Sequence, residues 1–139
     1  MATFQKFNQF VEDLAKGVHN LSTGQLKVAL TNTAPVAANS VYADLTSPLA
    51  TTNLSGANPF NVTTTSAEQT SGTLSLVLVD LTLTATGAVG PFRYVVLYND
   101  TPTSPADPLI GFYDYGSSVT MASSETFLID FAATTITLV

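Results

Sequence analysis

From Asn61 to Val139 the chain is a succession of short alternating segments broken by Gly, Pro, Asn and Ser, and that rhythm restricts it to antiparallel β architecture. Residues 61–66 are Thr-rich, a β-branched composition that disfavours helix. Residues 73–86 place Leu74, Leu76 and Leu78 on one face, then Leu81, Leu83 and Ala85 on a shifted phase. The slip at Val79-Asp80 predicts a β-bulge that re-aims the strand. Residues 92–98 (FRYVVLY) are apolar on both faces, as a central strand requires. Residues 99–108 hold three prolines and read as a loop, and further strands are expected over 109–115, 117–121, 125–132 and 134–139. Seven to nine short strands result. The expected fold is mainly β: an antiparallel β-sandwich, jelly-roll-like or Ig-like, with one N-terminal amphipathic α-helix.

The helix is expected over about residues 3–17, where Phe4, Phe7, Val11, Leu14 and Val18 recur at spacings of three and four, joined by Phe10. Thr3 is the expected N-cap and Gly17 the expected left-handed terminator. The stripe Phe4, Phe7, Val11 and Leu14 is the candidate packing or partner interface, able to cover the chain's own sheet or to dock on another subunit. Next, 25–31 (QLKVALT) alternates with Leu26, Val28 and Leu30 on one side. Residues 32–59 are irregular, and the part from Thr33 to Pro59 is a candidate for reaching neighbouring molecules. At 139 residues the chain suits one domain, 1–139, with the sandwich over about 25–139.

Composition excludes more than it assigns. There is no cysteine, so disulfides, thiolate metal sites and Cys nucleophiles are ruled out. Charged residues are only 10% of the chain, Ser and Thr together number 34, and the net charge is −6. Such a balance disfavours nucleic acid, whose phosphates are held by clustered Lys and Arg. No window is long and apolar enough for a membrane span, and residues 1–16 lack the apolar core of a secretory signal. His19, the single histidine, sits near a helix end without the partners of a general base, and with Glu12 and Asp13 it matches no metal motif. Asp100, Asp107 and Asp114 cluster in sequence but miss the spacing of a calcium loop. Arg93, the sole arginine, is expected to pair with Asp80, Asp114 or Asp130. Tyr94, Tyr98, Tyr113 and Tyr115 could line a glycan-binding face or serve as ordinary sheet residues. No catalytic, cofactor or metal residue is assigned, and the expectation is a non-enzymatic binding or structural role.

Residues 6–21 (KFNQFVEDLAKGVHNL) followed by 26–35 (LKVALTNTAP) resemble a recurrent opening among small virion proteins of tailed bacteriophages. Residues 91–100 (PFRYVVLYND) and 109–118 (LIGFYDYGSS) resemble the second half of the same group, with 47–58 matching least. The resemblance implies a structural protein of the phage particle, most like a capsid decoration (cement) protein on the outer head surface, made in the bacterial cytoplasm. Its implied partners are the major capsid protein and itself, as a homotrimer on local threefold positions, with no nucleic acid and no membrane. A tail or fibre component with a glycan- or receptor-binding surface is the alternative that it leaves open.

Overall fold

In the computed structural model, which describes residues 2–132 and 134–138, the doubly apolar segment lies in the middle of a five-stranded antiparallel sheet. The strands are β1 (Phe4–Lys6), β2 (Leu26–Thr31), β3 (Asn61–Val62), β4 (Thr64–Thr70), β5 (Thr73–Leu78), β6 (Leu81–Thr84), β7 (Val89–Asn99), β8 (Leu109–Met121), β9 (Thr126–Ile129) and β10 (Ile136–Leu138). One helix, α1 (Asn8–Ala15), and a 3₁₀ turn (Tyr42–Asp44) complete the described elements. The large sheet runs β1-β8-β7-β2-β3, and it is accompanied by a three-stranded sheet β10-β5-β4 and the pair β6-β9. The protein is therefore mainly β with antiparallel sheets, consistent with a β-sandwich.

Alternation along β7 explains why both of its faces are apolar. Phe92, Val95 and Leu97 enter the main core, together with Leu26, Val28 and Leu30 from β2, Leu76 and Leu78 from β5, Leu83 from β6 and Ile129 from β9. Val96 and Tyr98 point the other way into a second core with Phe7, Ala29, Leu45, Leu109 and Phe112. The irregular segment closes that outer core: Tyr42 and Leu45 pack over it, while Val41 bridges to Pro108 and Leu54 to Ala85. Leu45 and Leu54 thus anchor the segment 33–59 to its own chain, while most of its other residues are exposed.

Four sequence expectations are corrected. The helix is shorter than 3–17, since Phe4–Lys6 forms β1 against β8 with Phe4 opposite Tyr113 and Lys6 opposite Gly111. Thr3 is not the cap; Phe7 occupies that position in extended conformation (φ −77°, ψ 151°) with no side-chain hydrogen bond. The apolar spacing of Phe4 and Phe7 fits a helix, but three positions along a strand-to-helix junction also deliver two rings to opposite sides of a sheet. Gly17 does end the helical turn, at φ +77°, with its N–H donated to the Leu14 carbonyl. The slip at Val79-Asp80 is a change of sheet and not a bulge: β5 ends at Leu78 and β6 begins at Leu81, paired with β9 alone. Asp80 secures the crossing by accepting the Phe131 N–H at 2.9 Å. The segments 109–115 and 117–121 form one strand, β8, whose outward excursion falls between Asp114 and Val119.

Candidate functional site

The four residues of the expected interface do not form one face. Phe4 is half-buried in β1, its ring edge-on to Tyr113 at 5.1 Å between centroids. Phe7 is fully enclosed in the outer core, 5.3 Å from Phe112. Leu14 packs partly against the main core, whereas Val11 is 54% exposed. Phe10, outside that set, is the helix residue buried deepest in the main core. Burying a Phe side chain contributes on the order of 1.5–3 kcal/mol, so Phe7 and Phe10 bind the helix to its own sheet. Of the four, Val11 alone presents a large exposed apolar surface.

The polar candidates resolve into separate local roles. His19 is buried, its ring 5.2 Å from Phe10 and its Nδ1 3.3 Å from Asn99 Nδ2. Asn99 Oδ1 accepts the Thr101 N–H, which leaves its amide N–H to donate to His19 and places the ring proton on Nε2. Burial lowers the His19 pKa below the ordinary imidazole value, against the opposing charge of Asp13. Among the described residues no hydroxyl is hydrogen-bonded to this ring, whose Nε2 has no partner. Arg93 pairs with Asp114, one of its three expected partners, through two bonds of 2.7 and 3.0 Å. Asp114 also accepts the Gly116 N–H at 2.8 Å. The Arg93 hydrogen bond, followed by that of Gly116, holds the Asp114 carboxyl below the usual carboxylate range. This fork closes the neck of the excursion at 115–118, where β8 leaves its partner β7.

Asp114 is consequently separated from Asp100 and Asp107. Asp107 stands beside Asp100, and burial followed by the Asp100 charge raises its pKa. Asp100 pairs with Lys27 at 3.2 Å. Among the described residues no three His, Asp or Glu side chains converge as metal ligands would. The tyrosines are divided as well. Tyr94 and Tyr98 lie toward the outer core, Tyr113 lies in the main core, and Tyr115 is 55% exposed beside Phe127. A single face built from all four is therefore overturned by the register, in which Tyr94 meets Asp114 and Val95 meets Tyr113.

Two of the clefts among the described residues combine aromatic walls with polar groups and could hold another molecule. The first, ≈ 240 Å³, lies between β8 and β9 and is walled by Val95, Tyr113, Tyr115, Phe127 and Leu128, with Asp130 at its margin. Tyr115 and Leu128 are both more than half exposed there. Burial, followed by the charges of Asp130 and Asp80, pushes the Tyr113 phenol up to about 12. The second, ≈ 330 Å³, opens on the outer side of the large sheet over Lys27, Asn61 and Tyr98, beside Tyr42, Asn58 and Phe60. Register builds its floor: Lys27 of β2 lies opposite Asn61 of β3 on one side and Tyr98 of β7 on the other. Tyr42 packs against Tyr98 with ring centroids 5.0 Å apart. Burial is the leading cause raising both phenol pKa values, so the two hydroxyls stay protonated. Sequence reasoning missed Lys27, Tyr42 and Asn61, which lie far apart in the chain and carry no local motif.

No protein-family model, curated protein or solved structure matches this chain. No described helix is long and apolar enough to cross a membrane.

Proposed function

We propose that the chain is a non-enzymatic structural protein of a tailed-bacteriophage particle, a decoration protein that binds the major capsid protein on the outer surface of the assembled head. The observation that carries this reading is the place of the phage-like segments in the fold. Residues 6–21, 26–35, 91–100 and 109–118 supply α1, β2 and most of the interacting parts of β7 and β8, which are neighbours in the large sheet. Four stretches scattered along the chain, about a third of its residues, thus fall in neighbouring elements. That coherence supports a likeness of whole architecture over coincidence in short strings.

The surface suits the same role. Its largest exposed apolar side chains include Tyr115 and Leu128, which flank the ≈ 240 Å³ cleft. Apolar and hydrogen-bonded contacts are screened little by salt, which favours them where a particle meets changing media. A protein that binds only the closed shell stabilises that state by mass action. A homotrimer is the natural arrangement on local threefold positions of an icosahedral lattice. The test is quantitative mass spectrometry of purified particles together with labelling of the head. Copies on the order of hundreds per particle, spread over the head as icosahedral symmetry requires, are expected; a handful at the tail, or none, overturns the reading.

A further inference from the structure

We infer that the outer cleft floored by Asn61, Lys27 and Tyr98 is a binding subsite for one neutral sugar unit. This goes beyond the capsid role and does not depend on it. Sugars present two chemistries at once: C–H faces that pack on aromatic rings, and hydroxyls that need donors and acceptors in alternation. The cleft offers both. Tyr42 and Tyr98 form a tilted aromatic pair at 5.0 Å, with Phe60 as a further apolar wall. Around them stand the amides of Asn58 and Asn61, the Lys27 ammonium and the Thr51 hydroxyl.

Several observations narrow the ligand. The Asn61 side chain lines the cleft, although its Oδ1 is enclosed beneath the surface without a hydrogen-bond partner in the chain. The exposed Asn58 amide on the cleft rim offers a sugar hydroxyl both a donor and an acceptor. Lys27 is already neutralised by Asp100 at 3.2 Å, and Asp107 lies beside that pair. An anionic ligand such as a phosphate or a sialic acid would meet two carboxylates and a chain of net charge −6. A purely apolar ligand would strand the lysine and both asparagines without water. A neutral hexose or N-acetylhexosamine satisfies the set, and ≈ 330 Å³ admits one such ring.

The experiment is an amide chemical-shift titration of the full chain with glucose, galactose and N-acetylglucosamine, with glucose 6-phosphate and sialic acid as anionic probes. Methyl glycosides of the three neutral sugars distinguish a free reducing sugar from the end of a glycan chain. At least one neutral sugar is expected to shift Lys27, Tyr42, Asn58, Asn61 and Tyr98 saturably. Affinity is expected to fall about tenfold in Tyr42→Ala, the size of one lost aromatic contact. The exposed Asn58→Ala variant, which does not threaten the fold, is expected to weaken binding as well, while Val79→Ala, exposed and outside the cleft lining, leaves it unchanged. Absence of shifts at these residues, stronger binding of the anionic probes, or shifts confined to the Tyr115–Leu128 cleft would overturn the inference. The capsid reading is judged separately by copy number in the particle, so either proposal can fail alone.

Discussion

Gly111 is the residue on which the docking of the N-terminal strand turns, and Gly111→Ala is the substitution that tests it. A Cβ built at this position falls 2.5 Å from the Gln5 carbonyl oxygen and 2.6 Å from Phe4 Cε1, and closer still to Phe4 Cζ. The Phe4 ring can rotate away; the Gln5 carbonyl belongs to the backbone of β1 and can move only with the strand. Overpacking of this kind costs about 1–3 kcal/mol. Replacing glycine also restricts the unfolded chain, a gain of about 0.4–1 kcal/mol where the backbone permits it. The net expectation is a loss of about 1–2 kcal/mol, read from the urea midpoint at unchanged slope. In thermal melts the same loss corresponds to roughly 3–8 °C for a chain of this size.

A double-mutant cycle separates this cause from a general weakening of β8. Phe4→Ala removes the nearest atoms and leaves the Gln5 carbonyl in place. The cost of Gly111→Ala should therefore be smaller in the Phe4→Ala background, with a coupling energy of roughly 0.5–1.5 kcal/mol. Amide exchange should report the same event as faster exchange at Phe7, whose N–H donates to the Ile110 carbonyl at 3.1 Å. Additive substitutions would place the whole cost on the Gln5 carbonyl, but if Gly111→Ala is as stable as the parent, β1 is not held against β8 as described. Phe4 would then be free to serve a partner after all.

His19 gives a pH dependence with a defined sign. Its folded pKa lies below the unfolded value, so the unfolded chain takes up the proton first. Stability is expected to be full above about pH 6.5 and to fall below it by at most about 1.4 kcal/mol per pH unit, until the folded pKa is reached; His19→Gln should flatten urea-midpoint profiles between about pH 6.5 and 5, and an unchanged slope would count against a buried neutral ring. Asp114→Asn keeps an acceptor for the Gly116 N–H but loses the charge that faces Arg93. Faster amide exchange confined to 115–118 is expected, with the global unfolding midpoint nearly unmoved. Because the Asp114 pKa is lowered, the parent should keep this protection as pH falls through the ordinary carboxylate range and lose it only below.

What was legible in the sequence followed from periodicity, and what was not followed from register. Alternation located β2, β5 and β7, and the doubly apolar face of β7 correctly implied neighbours on both sides. The Arg93 partner was narrowed to three carboxylates because an arginine in an apolar strand must reach one. By contrast, the interval from Leu78 to Leu81 reads the same whether a strand bulges or ends and joins another sheet. Only the pairing of β6 with β9 decides that, and it depends on residues almost fifty positions away. The N-terminal stripe misled for a related reason. A spacing of three is shared by a helical turn and by a strand that hands over to a helix, so the sequence puts Phe4 and Phe7 on one face where the structure has them on two.

The same distinction explains why the two clefts could not be foreseen. Four tyrosines close in sequence suggested a common surface, yet β7 and β8 place Tyr98 on one side of the sheet and Tyr113 on the other. The residues that do meet, Asn61, Lys27 and Tyr98, come from three strands and align only because β2 pairs with both β3 and β7. Tyr42 then arrives from a segment whose composition reads as loop, fixed there by its N–H bond to the Asp107 carbonyl at 2.9 Å. One cleft faces the β9 side and is apolar; the other faces the opposite side and is lined by amides, a lysine and phenols. The proposed particle role calls for one side toward the shell and another toward the medium, and the division between the clefts is compatible with it. If the apolar cleft is the capsid contact, the sugar subsite points outward, and Leu128→Asp should abolish attachment to heads while leaving sugar-induced shifts intact. Loss of both together would mean that the two faces do not act independently.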